Sequence, residues 1–272
     1  MKLSSATSVL VNYPLREAVE KCVSFGLDGV DIWCGRPHLY RGDYSERELL
    51  EIRQTLESAR VTAAALMPAF FRYPYSLSSP VPAIRADSVR YMKECIDHAT
   101  LFRAGHVLVV PTNALFGQTD AEARNAFVHS LEEVLAYAQT RTVKLGIEVL
   151  NPKLCRYMCA SEQAAALIRE MDSPFLGTVL DTGHLNLSGE GFANAMDTLG
   201  GTLLEIHVND NDAREQQNAV PGDGTFDFKA MCRALEGAGY DGYLTLELGW
   251  GYSSAPDDVL SEAIRRMKSL VV

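Results

Sequence analysis

Residues 176–208 read LGTVLDTGHLNLSGEGFANAMDTLGGTLLEIHV. The runs 176–181 and 203–208 are short and apolar, each closing on or beside an ionisable residue, with a segment of helical period near 190–199 between them. Strand, helix, strand is the repeating unit of a parallel sheet. Working outward, the same alternation continues to both ends of the chain. It places strands at 2–5, 28–33, 61–67, 106–111, 143–149, 176–181, 203–208 and 242–248. Helices fall near 14–25, 45–59, 82–104, 119–140, 161–172, 190–199, 226–238 and 256–269, with Ser45, Thr119, Ser161 and Asp227 as expected N-caps. Eight such rounds in 272 residues suit a (β/α)8 TIM barrel of the α/β class, whose typical length is about 250 residues. No linker rich in Pro, Gly or Ser divides the chain, so a single domain over 1–272 is expected. A doubly wound open sheet is the rival, but its G-x-G-x-x-G turn after the first strand is missing.

Composition narrows the function. The chain is 47% apolar and 22% charged, enough to fill a large core, which excludes disorder as its main state. Its 35 acidic and 25 basic residues leave a net charge of -10, the wrong sign for condensing on phosphate backbones. Nucleic acid is therefore excluded as a partner. No apolar run approaches the roughly 18 residues of a membrane span, and no secretion signal is readable, so a cytoplasmic protein without membrane association is expected. The six cysteines are scattered, with Cys155 and Cys159 the one close pair, and read as reduced thiols.

In a barrel of this kind chemistry sits where strands end and their following loops begin. Aromatic residues gather there: Trp33, Tyr40 and Tyr44 after the second strand, Phe70, Phe71, Tyr73 and Tyr75 after the third, Trp250 and Tyr252 after the eighth. They line a pocket or pack loops onto the rim. Four ionisable residues stand at the ends of four successive strands: Glu148, Asp181, His207 and Glu247. Period-two alternation puts Gly177 and Val179 on the face of Asp181, and Tyr243 and Thr245 on that of Glu247, so all four side chains can enter one barrel mouth. Two like charges ~4 Å apart repel by about 4 kcal/mol at an effective dielectric of ~20, and three carboxylates make three such pairs. A cation or bound protons must compensate. One nitrogen and three oxygens suit Mn2+ first, with Mg2+, Co2+ and Zn2+ also compatible.

At these residues the chain resembles the xylose-isomerase-like sugar isomerase and epimerase superfamily, and within it the tagatose and fructoselysine 3-epimerases. FGLDGVDIWCGRPHLY (25–40), YPYS (73–76), IEVLN (147–151), LDTGHLNL (180–187), HVND (207–210), PGDGTFDF (221–228) and GYDGYLTLEL (239–248) carry the resemblance. It implies one divalent metal held by Glu148, Asp181, His207 and Glu247. It also implies an epimerase acting on a ketose or ketose derivative through a metal-stabilised cis-enediolate, with Glu148 and Glu247 as the two acid/bases. His184 is implied to donate a hydrogen bond to a substrate oxygen. His38 and Arg36 reach the same rim, as substrate contacts or as a loop-fixing pair, and Trp33 and Trp250 stack on a sugar face or pack the rim. The family further implies a homo-oligomer, dimer or tetramer. Three departures stand out: Leu154 replaces a substrate-contacting glutamate of the tagatose epimerases, Ala213 replaces an arginine with Arg214 adjacent, and Asn218 replaces a histidine. The same metal chemistry would also serve an aldose-ketose isomerase of the hydroxypyruvate isomerase type or a sugar dehydratase or lyase. Outside catalysis, a sugar-binding partner subunit with a structural metal is the remaining expectation.

Overall fold

Ser45 opens its helix as expected: its hydroxyl accepts the Glu48 N–H while Glu48 reaches back to the Ser45 N–H, and Thr119 with Glu122 repeats the arrangement. Each such cap is worth about 1 kcal/mol. Asp227 accepts the Ala230 N–H at 2.9 Å. Ser161 differs from expectation, because Ala160 holds the cap position and Ser161 is the first helical residue, its hydroxyl buried without a partner.

The computed structural model describes residues 1–70 and 74–270. Phe71 and Tyr73, expected among the aromatic wall, lie outside the described residues. In chain order the elements are β1 (Lys2–Ala6), α1 (Leu15–Ser24), β2 (Gly29–Trp33), α2 (Glu46–Ala59), β3 (Thr62–Met67), α3 (Pro82–Phe102), β4 (His106–Val109), α4 (Asp120–Arg141), β5 (Lys144–Val149), α5 (Ser161–Met171), β6 (Leu176–Asp181), α6 (Thr182–Ser188), α7 (Phe192–Leu199), β7 (Leu203–Val208), α8 (Phe228–Gly237), β8 (Tyr243–Leu246) and α9 (Pro256–Leu270). Every strand pairs parallel with the next, and β8 pairs with β1, closing the barrel. The chain is a (β/α)8 TIM barrel. Apolar strand residues such as Val30, Ile32, Leu180, Ile206, Leu244 and Leu246 are fully buried in one continuous core with the apolar faces of the helices. No helix of the described residues is long and apolar enough to cross a membrane.

The short helix α6 was not legible from periodicity. It begins at once after β6 because Asp181 is its N-cap, accepting the His184 N–H at 2.7 Å. Gly183 makes the turn feasible: a Cβ there would lie 2.1 Å from Asn209 Oδ1. Inside the barrel, Gly146 leaves room for the His106 ring, 2.9 Å from where its Cβ would stand.

Candidate metal centre

Glu148 is the penultimate residue of β5, Asp181 the last of β6 and His207 the penultimate of β7. Glu247 stands just beyond β8, yet its N–H still donates to the Val208 carbonyl, so it keeps the register of the sheet. Asp181 pairs directly with His207 across the β6–β7 ladder. The structure thus brings one ligand atom from each of the four to within 4.8 Å of all the others. His207 Nδ1 lies 3.2 Å from Glu148 Oε1 and 3.1 Å from Glu247 Oε2. Asp181 is fixed from both sides, Oδ1 by the His184 N–H and Oδ2 by Asn209 Nδ2 at 2.6 Å.

The donor set fits a divalent cation on its own chemistry. Burial raises the Asp181 carboxyl above its usual range, with the Glu247 charge adding to the rise against the pull of His184 and His207. Burial alone would lower His207, but Glu247, then Asp31 and Glu148, hold it well above its ordinary value. The pocket draws positive charge onto whatever it can. Three carboxylates and one imidazole facing one point, with His207 Nδ1 turned toward them, is the oxygen-rich set that Mn2+ and Mg2+ accept.

Access distinguishes the four. A cleft of about 530 Å³ opens above them, and Glu148 and Glu247 line it, whereas Asp181 and His207 are fully buried behind. His184 also lines the cleft. Asn151 Oδ1 accepts the Lys153 N–H, which turns its amide nitrogen toward His184 Nδ1 at 3.1 Å and Gln216 Oε1 at 2.8 Å. A donor facing Nδ1 makes that nitrogen the acceptor and leaves the proton on Nε2. Trp33 and Trp250 form one wall, their rings 5.5 Å apart in an edge arrangement, with Trp250 59% exposed.

The family model described as xylose isomerase-like TIM barrel matches residues 19–270. The chain belongs to that family. It is similar to the fructoselysine 3-epimerase of Shigella flexneri, 25% identical over 271 residues that cover 100% of this chain and 98% of the relative. It is also similar to the D-psicose 3-epimerase of Enterocloster bolteae, 25% identical over 240 residues, 85% of this chain and 76% of the relative. Among solved structures, the IOLI protein with a zinc atom bound superposes with a TM-score of 0.83 at 20% identity, covering 100% of this chain and 98% of that one, a likeness of fold.

Within this xylose isomerase-like barrel three of the expected substrate contacts sit elsewhere. His38 is fully buried, its Nδ1 3.0 Å from Thr7 Oγ1 and its Nε2 3.1 Å from the Tyr13 carbonyl, so both ring nitrogens are engaged in fixing the loop. Arg36 is exposed and forks onto Asp43 at 2.6 and 2.8 Å. Arg214 is exposed in the loop after β7, where its carbonyl accepts the Lys153 ammonium, while its neighbours Gln216, Gln217 and Asn218 line the cleft. Asn218 Nδ2 donates to the Glu247 carbonyl at 3.2 Å.

Sequence reading missed Asn151, although it stood in the quoted IEVLN. It also missed a second cluster below the first. Asp31 of β2 and Glu205 of β7 gather under His207, with one ligand atom of each within 4.8 Å of the others. Asp31 Oδ1 accepts the Ser4 hydroxyl at 2.9 Å and the Thr245 hydroxyl at 3.2 Å, and Thr245 also donates to Glu205. His106 Nε2 meets Glu205 Oε2 at 3.2 Å, and His207 Nε2 faces Asp31 Oδ2 at 3.7 Å. Alternation carried the signal: Glu205 is two residues before His207 on the same face of its strand.

Proposed function

We propose that the chain is a divalent-cation-dependent 3-epimerase of ketoses or ketose derivatives. It is an isomerase-type enzyme, as its family and its epimerase relatives indicate. The observation that carries the finer reading is access: of the four clustered residues, the two glutamates face the cleft and the other two are sealed behind them.

Glu148, Asp181, His207 and Glu247 would hold the cation, Mn2+ before Mg2+, Co2+ or Zn2+. When bound it supplies Lewis acidity toward a chelating carbonyl and hydroxyl pair. Glu148 and Glu247 take the acid/base roles from opposite sides of the sugar plane. One carboxylate removes the C3 hydrogen as a proton, the electron pair passes into the enediolate, and the other carboxyl returns a proton to the opposite face. The Nε2–H of His184, fixed by Asn151, donates to a substrate oxygen. Trp33 and Trp250 give the sugar an apolar wall.

The whole chain, 1–272, works in this reading as one functional domain in the cytoplasm, as a dimer or tetramer. Its six unpaired cysteines, five of them buried, suit a reducing compartment. Light scattering of the purified protein measures the assembly, and a monomer at working concentration removes that part.

The test is proton NMR in deuterium oxide with the Mn2+-loaded protein and a ketose panel. C3 deuteration with the inverted sugar as product supports the reading. A migrated carbonyl means an isomerase, and an unsaturated product a lyase. Glu148→Gln and Glu247→Gln each lower turnover by about 10²–10⁴-fold, the range of a lost general acid or base. Full turnover by either with the metal bound overturns the assignment.

A further inference from the structure

A second recess opens beside the cleft and shares Phe70, Val110 and Leu150 with it as common walls. It holds about 280 Å³ between the loops that follow β3, β4 and β5. Its lining is mainly apolar, with Tyr75, Pro111, Ala114, Leu115 and Leu154 completing the walls. Several of the polar groups there are paired with one another or with neighbouring loops. Ser76 Oγ is bonded to Thr112 Oγ1 at 2.6 Å, the Thr112 carbonyl accepts the Tyr157 hydroxyl at 2.8 Å, and Asn113 Oδ1 accepts the Ala114 N–H at 3.0 Å. Among the described residues that line it, Lys153 alone is charged, and its ammonium is already bonded to the Arg214 carbonyl.

We infer that this recess is a distal subsite for an uncharged apolar substituent carried by the sugar held in the cleft. The inference rests on the epimerase reading and names its substrate class: a ketose extended at one end by an alkyl or aryl group. Three features select that occupant. The shared walls place the recess directly beside the cleft, within reach of a substituent on the sugar. The mainly apolar walls among the described residues reward apolar surface and give a hydroxylated chain little in exchange for its water. Lys153 at the edge repels an ammonium-bearing tail and finds no carboxylate among the described lining residues to offset it. Burying an aromatic ring of phenylalanine size corresponds to about ten- to a hundred-fold in affinity.

The experiment compares D-fructose, D-tagatose and D-psicose with the 1-O- and 6-O-(4-fluorobenzyl) ethers of each and with a 6-O-(4-ammoniobutyl) ether. With Mn2+-loaded protein, one benzyl ether has a KM at least ten-fold below its parent ketose, and the ammonium ether gains nothing. In chelator-treated protein the 19F signal of that ether broadens, a readout independent of turnover. Leu115→Glu, or Ala114→Phe should that variant fail to fold, brings the KM ratio of ether to parent to within two-fold of one and removes the broadening. Equal KM values with an unperturbed 19F signal overturn the subsite while the epimerase reading stands. If no ketose exchanges its C3 hydrogen, the epimerase reading falls, and 19F broadening abolished by Leu115→Glu still upholds the recess.

Discussion

His207 belongs to two clusters of the same chemical kind. Above it Glu148, Asp181 and Glu247 meet at a cleft; below it Asp31 and Glu205, with His106 beside them, are fully enclosed. In the lower group burial works against charge on Glu205 and His106. Burial, then the neighbouring Asp31 charge, pushes the Glu205 carboxyl well above its ordinary value, and burial pushes His106 down to about 4. Hydroxyls of Ser4 and Thr245 donate to Asp31 Oδ1. Above, Glu148 and Glu247 border the cleft, and among the described residues no hydroxyl bonds to the carboxylates of the four. The same residue types thus meet in an enclosed core below and beside open solvent above, and access to the cleft separates the two.

Kinetics break the comparison most directly. Glu247→Gln is expected to lower turnover by about 10²–10⁴-fold, while Glu205→Gln, which imitates the protonated carboxyl, stays within about three-fold of the parent. Comparable losses in both would mean that the lower cluster is also ionised and working. Cation-linked stability comes next. At a hundred times its Kd a bound ion adds about 2.7 kcal/mol, roughly 5–10 °C in Tm for a chain of this size. Asp181→Asn loses most of that increment and Glu205→Gln keeps it, in thermal unfolding with Mn2+ and with chelator. If the pattern reverses, the ion sits in the lower group.

Asp31 links the two levels. Its Oδ2 faces His207 Nε2, and a carboxylate there favours a proton on Nε2, which leaves Nδ1 as the nitrogen a cation among the glutamates would take. Asp31→Asn keeps the Oδ1 acceptor for Ser4 and Thr245 but can turn an amide N–H toward Nε2. Mn2+ affinity, by calorimetric titration, is expected to fall about 10–100-fold with the folded state retained. Unchanged affinity would remove Asp31 from the positioning of His207.

Much of the fold is legible in the sequence. The eight apolar runs marked every strand to within two residues at each end, because strand burial leaves an uninterrupted apolar signature. Helix ends were read as closely, to within two residues, although α2, α3, α4 and α5 stop on left-handed Arg60, Arg103, Thr142 and Asp172 with no glycine to announce the stop; the apolar period ends there. The four strand-end residues were picked out by position. The loop contacts were not, since Arg36, His38 and Arg214 are adjacent in sequence to cleft residues yet turn toward Asp43, Thr7 and solvent. Sequence order constrains strand residues through register and leaves loop side chains free to choose partners that only the closed fold supplies.

The smallest effect tests whether the lower group is neutral. His106 is expected to titrate near 4 when folded and near 6.5 when unfolded; Asp31 pulls its value up, while burial, His207 and Lys144 pull it down. Above pH 6.5 neither state carries the proton and His106 adds no pH dependence. Between 6.5 and 4 the unfolded chain takes up a proton that the folded one refuses, so stability falls with falling pH by about 1.4 kcal/mol per unit. From pH 7 to pH 5 this amounts to about 2 kcal/mol. His106→Gln keeps a donor toward Glu205 and abolishes the titration, so its unfolding free energy in urea drops by about 2 kcal/mol less over that interval. Chelator in both samples keeps cation release out of the comparison. Parallel pH profiles for the two proteins would mean that His106 is charged in the fold, and a charged His106 requires an ionised Glu205. The lower cluster would then be an ion pair, and its contrast with the mouth would rest on shape alone.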